Sequence, residues 1–187
     1  AGEEPPVTPG GDNKLTLIKV LGSNRYNDGD PNDGSRDQFK LAINRVDGPP
    51  TGATDAANGE KTEGTGSAIT KNGTISVTPI AGETYNLEEI FTSQDGGQRG
   101  STYADDHYVT TLSCVDLNNP GNSSFTITSP ATTVPSSGYS KVNAQLKVQA
   151  DAAGADIQCT YTNSNKNLIS GRDIYLGKKL PEGADPI

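Results

Sequence analysis

The sequence predicts an all-β protein, built as a single β-sandwich with extended N- and C-terminal arms. Apolar residues recur at every second position in several short segments, which is the period of a half-buried strand. Turn segments rich in Gly, Pro, Asn and Asp separate these runs, and no segment carries a convincing helical period. With 187 residues, of which 31 % are hydrophobic, the chain can bury one modest core.

The strand pattern sets the expected domain organisation. Strands are predicted at 15–20, 38–46, 74–80, 84–90, 108–115, 124–128, 142–148 and 157–163. We expect an arm at 1–13, a sandwich at 14–163 with long loops at 47–66 and 116–140, and an extension at 164–187. Within that extension, 172–177 has the pattern of an added strand, which can pair with its own sheet or with a neighbour's.

One predicted strand carries a carboxylate on its apolar face. Side chains two apart on a strand share a face, so Glu89 lies in line with Tyr85 and Leu87. A buried carboxylate is costly unless it is neutralised or paired. Two other strands offer partners, since Lys19 shares a face with the leucines of 15–17 and Asn163 extends an apolar row in 157–163. We therefore expect these polar groups to meet in the core.

These three segments resemble the B-type repeat of surface adhesins and pilin shafts, also called the SpaA-like or prealbumin-like fold. The resemblance rests on the first-strand Lys19, on Glu89 in the Tyr-x-Leu-x-Glu motif and on Asn163 in the closing Tyr-Thr-Asn. It implies an immunoglobulin-like, prealbumin-like sandwich in which Lys19 and Asn163 condense to an isopeptide bond. Glu89 is then the catalytic group of a reaction that occurs once per molecule.

The residue types suit that chemistry. Desolvation lowers the pKa of a buried lysine and makes it a neutral nucleophile, while the carboxyl of Glu89 hydrogen-bonds the amide and shuttles protons to departing ammonia. The fold supplies the positioning. The alternative is a salt bridge between Lys19 and Glu89, with Asn163 capping a loop.

Composition indicates an exported protein. The first residue is Ala1 and the sequence contains no Met, which we interpret as removal of a signal peptide. Cys114 and Cys159 both lie in inward rows of predicted strands, and an exported chain favours their pairing as a disulfide over two free thiols. No apolar run approaches the roughly 18 residues of a membrane span.

Charge argues against two classes of partner. The net charge of -8 disfavours nucleic acid and anionic membrane surfaces as partners.

One loop is rich in residues with oxygen ligands. Its Asp-x-Asp-x-Asn alternation is compatible with Ca²⁺ as a cofactor, although turn geometry alone also favours these residue types. The candidate ligands are Asp28, Asp30, Asn32 and Asp37.

Few residues support turnover catalysis. The single His107 stands at a strand entrance with outward parity, and no Cys/His cluster has zinc-ligand spacing.

The leading hypothesis is a structural subunit of an extracellular filament or pilus-like surface appendage, a homopolymer joined through its terminal arms. The alternative is a non-polymerising adhesin module that binds a host or cell-surface ligand through its long loops.

Overall fold

The computed structural model describes residues 11–29, 34–47, 62, 73–119, 121–135 and 138–167. Over these residues the chain forms eight strands and one short helix. In chain order they are β1 Lys14–Leu21, β2 Asp37–Arg45, β3 Thr74–Val77, β4 Thr84–Ser93, α1 Tyr103–His107, β5 Tyr108–Asp116, β6 Phe125–Thr133, β7 Lys141–Val148 and β8 Asp156–Asn165.

The strands form two four-stranded sheets that pack face to face. One sheet has the order β3-β1-β8-β5 and the other the order β2-β4-β7-β6. Every neighbouring pair is antiparallel except β1 and β8, which are parallel. This two-sheet sandwich confirms the fold class that the sequence predicts.

The parallel pairing of β1 and β8 places the start of β1 and the end of β8 at opposite poles of the sandwich. Lys14 at the start of β1 pairs with Asp156 at the start of β8, and Leu21 pairs with Asn163 near its end. The described chain therefore enters β1 at one pole and leaves β8 at the other. Given about 3.3 Å of rise per residue, the poles are roughly 30 Å apart.

The core lies between the sheets and is built from the alternating apolar rows of the strands. In β1, Leu15 and Leu17 are fully buried, and in β4 the same is true of Tyr85 and Leu87. Three aromatic rings, from Phe39, Phe91 and Tyr108, contact one another toward one end of this core. The period-2 rows thus face inward as the sequence indicates.

Several sequence-based boundaries were wrong. The segment 116–140, expected as a long loop around a short strand, contains the nine-residue β6, whose pattern is obscured by Pro130 and by two register shifts against β7. The five-residue α1 was not predicted, since it is too short to show a helical period. β3 ends at Val77 rather than at residue 80, and β4 continues to Ser93.

Other expectations lie outside the described residues. They concern most of the arm at 1–13, nearly all of the loop at 47–66, and the added strand at 172–177. The extension expected from residue 164 begins later than predicted, because Ser164 and Asn165 belong to β8. Among the described residues no helix has the length and apolarity needed to cross a bilayer.

Candidate functional site

Three polar side chains from distant parts of the chain meet between the sheets. Lys19 projects from β1 and Asn163 from the neighbouring β8, while Glu89 projects from β4 in the facing sheet. All three residues are completely buried. The structure therefore brings together the lysine, glutamate and asparagine that the sequence singles out.

The carboxyl of Glu89 lies between the two nitrogens. Its Oε2 is 3.1 Å from Nζ of Lys19, and its Oε1 accepts a hydrogen bond of 2.8 Å from Nδ2 of Asn163. The contact with Nζ is close but is not aligned as a hydrogen bond. Among the described residues, Nζ of Lys19 and Oε2 of Glu89 therefore have no aligned hydrogen-bond partner, and Oδ1 of Asn163 has none either.

This arrangement is energetically expensive for a structural ion pair. Buried ions must recover the loss of hydration through good geometry and through hydrogen bonds to every remaining polar site. Here Nζ of Lys19 and Oε2 of Glu89 have only their mutual 3.1 Å contact, and among the described residues Oδ1 of Asn163 has no partner; an unsatisfied buried group costs about 1–3 kcal/mol. A cluster of this kind is more typical of a reactive site than of a stabilising bridge.

The surroundings favour the neutral form of the lysine. Nζ of Lys19 lies 4.1 Å from the centroid of the Phe39 ring, and Leu41 and Val142 are the register neighbours of Glu89 in its own sheet. Desolvation lowers the pKa of Lys19 from 10.5 to about 8, although the charge of Glu89 acts in the opposite direction. About a tenth of the Lys19 amine is therefore neutral at pH 7, compared with well under 0.1 % at the ordinary pKa.

Tyr161 connects the two sheets beside the Lys19–Glu89–Asn163 site. It lies beside Lys19 in the parallel register, and its hydroxyl donates a 2.7 Å hydrogen bond to the carbonyl of Leu87 in the facing sheet. Burial raises the pKa of Tyr161 well above its ordinary value, so the hydroxyl remains a donor. This bond ties β8 to β4 two residues before Asn163 and Glu89, and so fixes their separation across the core.

The two cysteines form a disulfide. Cys114 of β5 and Cys159 of β8 lie directly opposite each other in the antiparallel register, and their sulfur atoms are bonded over a sequence separation of 45. Cys159 is fully buried, whereas Cys114 is only partly buried because β5 is the edge strand of its sheet. The disulfide thus joins the last strand to the sheet edge.

The loop residues considered as calcium ligands have other partners where they are described. The carboxylate of Asp28 lies 3.7 Å from Nη1 of Arg25 and 3.6 Å from Nε of Arg36. Asp30 and Asn32 lie outside the described residues. Within the described part of the chain, no group of three acidic, histidine or cysteine residues has metal-site geometry. Calcium binding stays a prediction of the sequence.

Asp37 has a role that sequence reasoning missed. Its buried carboxylate accepts hydrogen bonds from the hydroxyls of Tyr103 and Tyr108 and lies 2.8 Å from Nη2 of Arg99. The backbone amide of Asn27 donates to the same carboxylate. Asp37 has the parity of the inward residues that follow it in β2, which is the signal that could have placed it in the core.

His107 is not simply on the surface as expected. Its ring stacks on Tyr26 with centroids 3.6 Å apart, and the Tyr103 ring packs against its edge. The three rings thus pack together at α1, the short helix that precedes β5. Tyr103 belongs to the same short helix, whereas Tyr26 lies about 80 positions earlier in the chain, so local sequence does not indicate the stack.

Together the fold and the site define a prealbumin-like sandwich in which Lys19 of the first strand, Asn163 of the last strand and Glu89 of the facing sheet form a buried cluster. Comparison with protein families gives the same result. The model of the SpaA-type prealbumin-like fold domain matches residues 14–165, and the chain belongs to this family.

Solved structures with similarity to the chain include two bacterial surface proteins. One is a bacterial adhesin from Mobiluncus mulieris containing intramolecular disulfide, isopeptide and ester bond cross-links, with 12 % identity and a TM-score of 0.33. Another is an asparagine-to-alanine mutant of the major pilin from Streptococcus pyogenes, with 15 % identity and a TM-score of 0.33.

The chain corresponds to only part of these proteins. In both comparisons 82 % of this chain is covered, against 41 % of the adhesin and 48 % of the pilin. The chain thus spans less than half the length of each. A comparison with curated protein sequences finds no match.

Proposed function

We propose that this chain is a pilin- or adhesin-type surface protein and, within that class, a structural subunit of an extracellular filament, exported to the cell surface. One observation carries the proposal: the carboxyl of Glu89 contacts the nitrogens of both Lys19 and Asn163 in a fully buried site. This contact supports a covalent bond between the first and last strands of the sandwich.

The bond is an amide formed with loss of ammonia. Nζ of neutral Lys19 attacks Cγ of Asn163, the Nζ–Cγ bond forms and the Cγ–Nδ2 bond breaks. One proton passes from Nζ to Glu89 and one from Glu89 to Nδ2, so the carboxyl ends unchanged. The two oxygens of Glu89 already face the two nitrogens that exchange protons. The reaction is a single maturation step without turnover.

The position of this bond suits a load-bearing protein. A pull on the two chain ends acts on the start of β1 and the end of β8, which lie at opposite poles. With Lys19 joined to Asn163, the load passes from β1 directly to the end of β8 through covalent bonds. Residues 20–162, which include the disulfide, carry none of it.

The chain direction also suits head-to-tail assembly. An arm at each pole lets copies join through identical contacts that do not close on themselves, which produces an open filament. We propose that other copies of this chain are its partners. A non-polymerising adhesin with the same internal bond would instead be a soluble monomer that binds a host or cell-surface ligand.

Intact mass tests the crosslink. The purified chain, measured under reducing conditions, is expected to weigh about 17 Da less than its sequence, which corresponds to one ammonia. Asn163→Ala should restore the full sequence mass of that variant. Asn165→Ala is the matched control, because Asn165 is also buried in β8 but contacts the Arg25 carbonyl rather than Glu89, and it should retain the loss. A full mass for the unmodified chain would exclude the crosslink.

Truncation tests the filament separately. Removal of residues 1–13 or of residues 168–187 is expected to leave soluble monomers where the full chain forms fibres under electron microscopy. Unchanged fibres from both truncations would contradict an arm-mediated joint. A chain that carries the mass loss but forms no fibres would support the adhesin alternative.

A further inference from the structure

A second buried cation lies close to the Lys19–Glu89–Asn163 site. Arg25 stands in the loop that follows β1, and it is only 2 % exposed. Its backbone carbonyl accepts a hydrogen bond of 3.2 Å from the side chain of Asn165, two residues beyond Asn163 in β8. The loop after β1 is therefore fixed at the pole where Asn163 lies.

Backbone carbonyls hold the guanidinium group of Arg25. Its Nε donates a hydrogen bond of 2.8 Å to the carbonyl of Asp37, and its Nη2 donates one of 2.7 Å to the carbonyl of Thr62. Both acceptors are neutral, and an arginine remains protonated in proteins. These contacts therefore hold a positive charge in the interior.

Strand β2 brings the two cations into one part of the core. Nζ of Lys19 lies 4.1 Å from the centroid of the Phe39 ring, and Arg25 binds the carbonyl of Asp37, two residues earlier in the same strand. The Tyr108 ring packs against Phe39 with centroids 5.8 Å apart, and its hydroxyl binds the carboxylate of Asp37. Charges interact more strongly across such apolar rings than across water. Repulsion by Arg25 therefore reaches the ammonium form of Lys19.

We propose that Arg25 is a positioning residue for the crosslink: its buried positive charge disfavours the ammonium form of Lys19 and keeps the amine available for attack on Asn163. This inference rests on the proposed isopeptide bond and adds a residue to it. Arg25 offsets an effect of Glu89, whose carboxyl lies 3.1 Å from Nζ and attracts the ammonium form when it is ionised. An amine held as an ammonium ion cannot attack an amide.

Other charged and titratable groups around this part of the core have partners of their own. The carboxylate of Asp37, from β2, lies 2.8 Å from Nη2 of Arg99. The hydroxyls of Tyr108 in β5 and Tyr161 in β8 remain protonated, because burial raises the pKa of each well above its usual range. The electrostatic bias on Lys19 therefore comes mainly from Glu89 and Arg25.

The lowered pKa of Lys19 is consistent with this balance. Desolvation by burial is its largest cause, and the charge of Glu89 opposes the lowering. The charge of Arg25 acts in the same direction as desolvation. A loss of the Arg25 charge should therefore raise the pKa of Lys19.

NMR titration of the Lys19 side-chain nitrogen tests this role directly. Asn163→Ala keeps the amine free, and addition of Arg25→Gln is expected to raise its pKa by about one unit, because the ammonium form no longer meets a like charge. Arg25→Lys retains the charge and should leave the pKa of Lys19 within about 0.3 unit of its value with Arg25. An unchanged pKa in Arg25→Gln, or an equal rise in Arg25→Lys, would overturn the inference.

Arg36→Gln is the matched control in the same background. Arg36 lies 3.6 Å from the carboxylate of Asp28, which is also 3.7 Å from Nη1 of Arg25, but the side chain of Arg36 is 14 % exposed rather than fully buried. Solvent screens its charge, so the pKa of Lys19 should stay unchanged. An equal rise in Arg36→Gln and Arg25→Gln would show a general effect of the loop and would overturn a specific role for Arg25.

The rate of crosslinking gives a second readout. Chain recovered unfolded in urea from inclusion bodies is diluted to refold between pH 6 and 9, and the mass loss of about 17 Da is followed over time. In Arg25→Gln the rise of the rate with pH should move up by about one pH unit, so that the rate at pH 7 falls about tenfold and recovers at higher pH. A merely structural defect would lower the rate equally at every pH.

The same experiment separates this inference from the proposed function. Mass loss with the same pH profile in both chains would overturn the role of Arg25 and leave the crosslink in place. Absence of mass loss at every pH in the unmodified chain would overturn the crosslink itself.

Discussion

Lys19 and Asn163 stand diagonally across two parallel strands. Lys19 pairs with Tyr161 and Asn163 pairs with Leu21, so the two side chains are offset by two residues along the strands. The long lysine side chain can bridge this offset, whereas Glu89 reaches both nitrogens from the other sheet. The reactive geometry therefore depends on strand register and on the sheet-to-sheet distance together.

Glu89→Gln is expected to prevent the crosslink and to destabilise the fold. Gln keeps the size of the side chain but cannot accept and return a proton, so the mass loss of about 17 Da should disappear. Removal of one partner from a buried pair also costs about 3–5 kcal/mol of unfolding free energy. Intact mass and urea denaturation measure the two effects.

Glu88→Gln is the matched control for that variant. Glu88 is the neighbouring residue, but its carboxylate faces outward and lies 2.9 Å from Nζ of Lys141, with both side chains 17 % exposed. We expect the mass loss to persist and the unfolding free energy to fall by no more than about 1 kcal/mol. Loss of the crosslink in this variant as well would argue against a specific role for Glu89.

The pKa of Lys19 predicts a pH dependence in the Asn163→Ala variant, where the amine stays free. Burial lowers the pKa from 10.5 to about 8 in the folded protein, so between these values the unfolded chain binds more protons than the folded chain. Stability then rises with pH across this window. The expected gain in unfolding free energy from pH 8 to 10.5 is about 3 kcal/mol.

The crosslinked chain is the reference for this measurement. Its Lys19 is an amide and does not titrate, whereas its other groups titrate as they do in Asn163→Ala. The difference between the two unfolding free energies should therefore narrow as the pH rises from 8 to 10.5. If the difference between the two unfolding free energies does not change with pH, folding does not lower the pKa of Lys19.

Tyr108→Phe tests the Asp37 cluster. The Tyr108 hydroxyl donates a 2.6 Å bond to the carboxylate and accepts one from the backbone amide of Tyr26. Burial raises the pKa of Tyr108 well above its usual range, so the hydroxyl remains protonated. Loss of a bond to a charged group should lower the unfolding free energy by about 1.5–3 kcal/mol in chemical denaturation.

Tyr26→Phe separates this effect from ring packing. Tyr26 is 40 % exposed and contributes its ring to the stack on His107, which Phe can preserve. We expect a change within about 0.5 kcal/mol. If both variants lose the same stability, the hydroxyl bond to Asp37 is not the cause.

The sequence could predict the inward rows but not all the contacts between them. Period-2 parity placed Lys19, Glu89 and Asn163 on core faces, yet parity does not say which strands are neighbours. The parallel pairing of β1 with β8 joins residues more than 140 positions apart, and the expectation that the three residues meet as a reactive group came from the family resemblance.

Asp37 shows what local reasoning could not find. Its neighbours in the sequence suggest a calcium loop, which stays untested, but the side-chain donors to its carboxylate lie more than 60 residues away, in Arg99, Tyr103 and Tyr108. The length of β6 was missed for a different reason. Pro130 and the register shifts interrupt its alternation, while backbone pairing with β7 still maintains the strand.

Single-molecule pulling tests the mechanical role. If the proposed Lys19–Asn163 amide forms, it carries the load, and a force applied at both ends should produce no unfolding step before the covalent bonds fail. Asn163→Ala removes that path, and the parallel contact between β1 and β8 must then resist the force alone. Residues 14–165, less the 45 closed by the disulfide, should extend in a step of roughly 330 Å.

Reduction of the disulfide calibrates this measurement. Opening the Cys114–Cys159 bond in Asn163→Ala frees those 45 residues and should lengthen the step by roughly 150 Å. In the crosslinked chain reduction should have no effect on extension, because both cysteines lie between Lys19 and Asn163, outside the loaded path. An unfolding step of the same length in the chain with and without Asn163 would show that no covalent bond joins the first strand to the last.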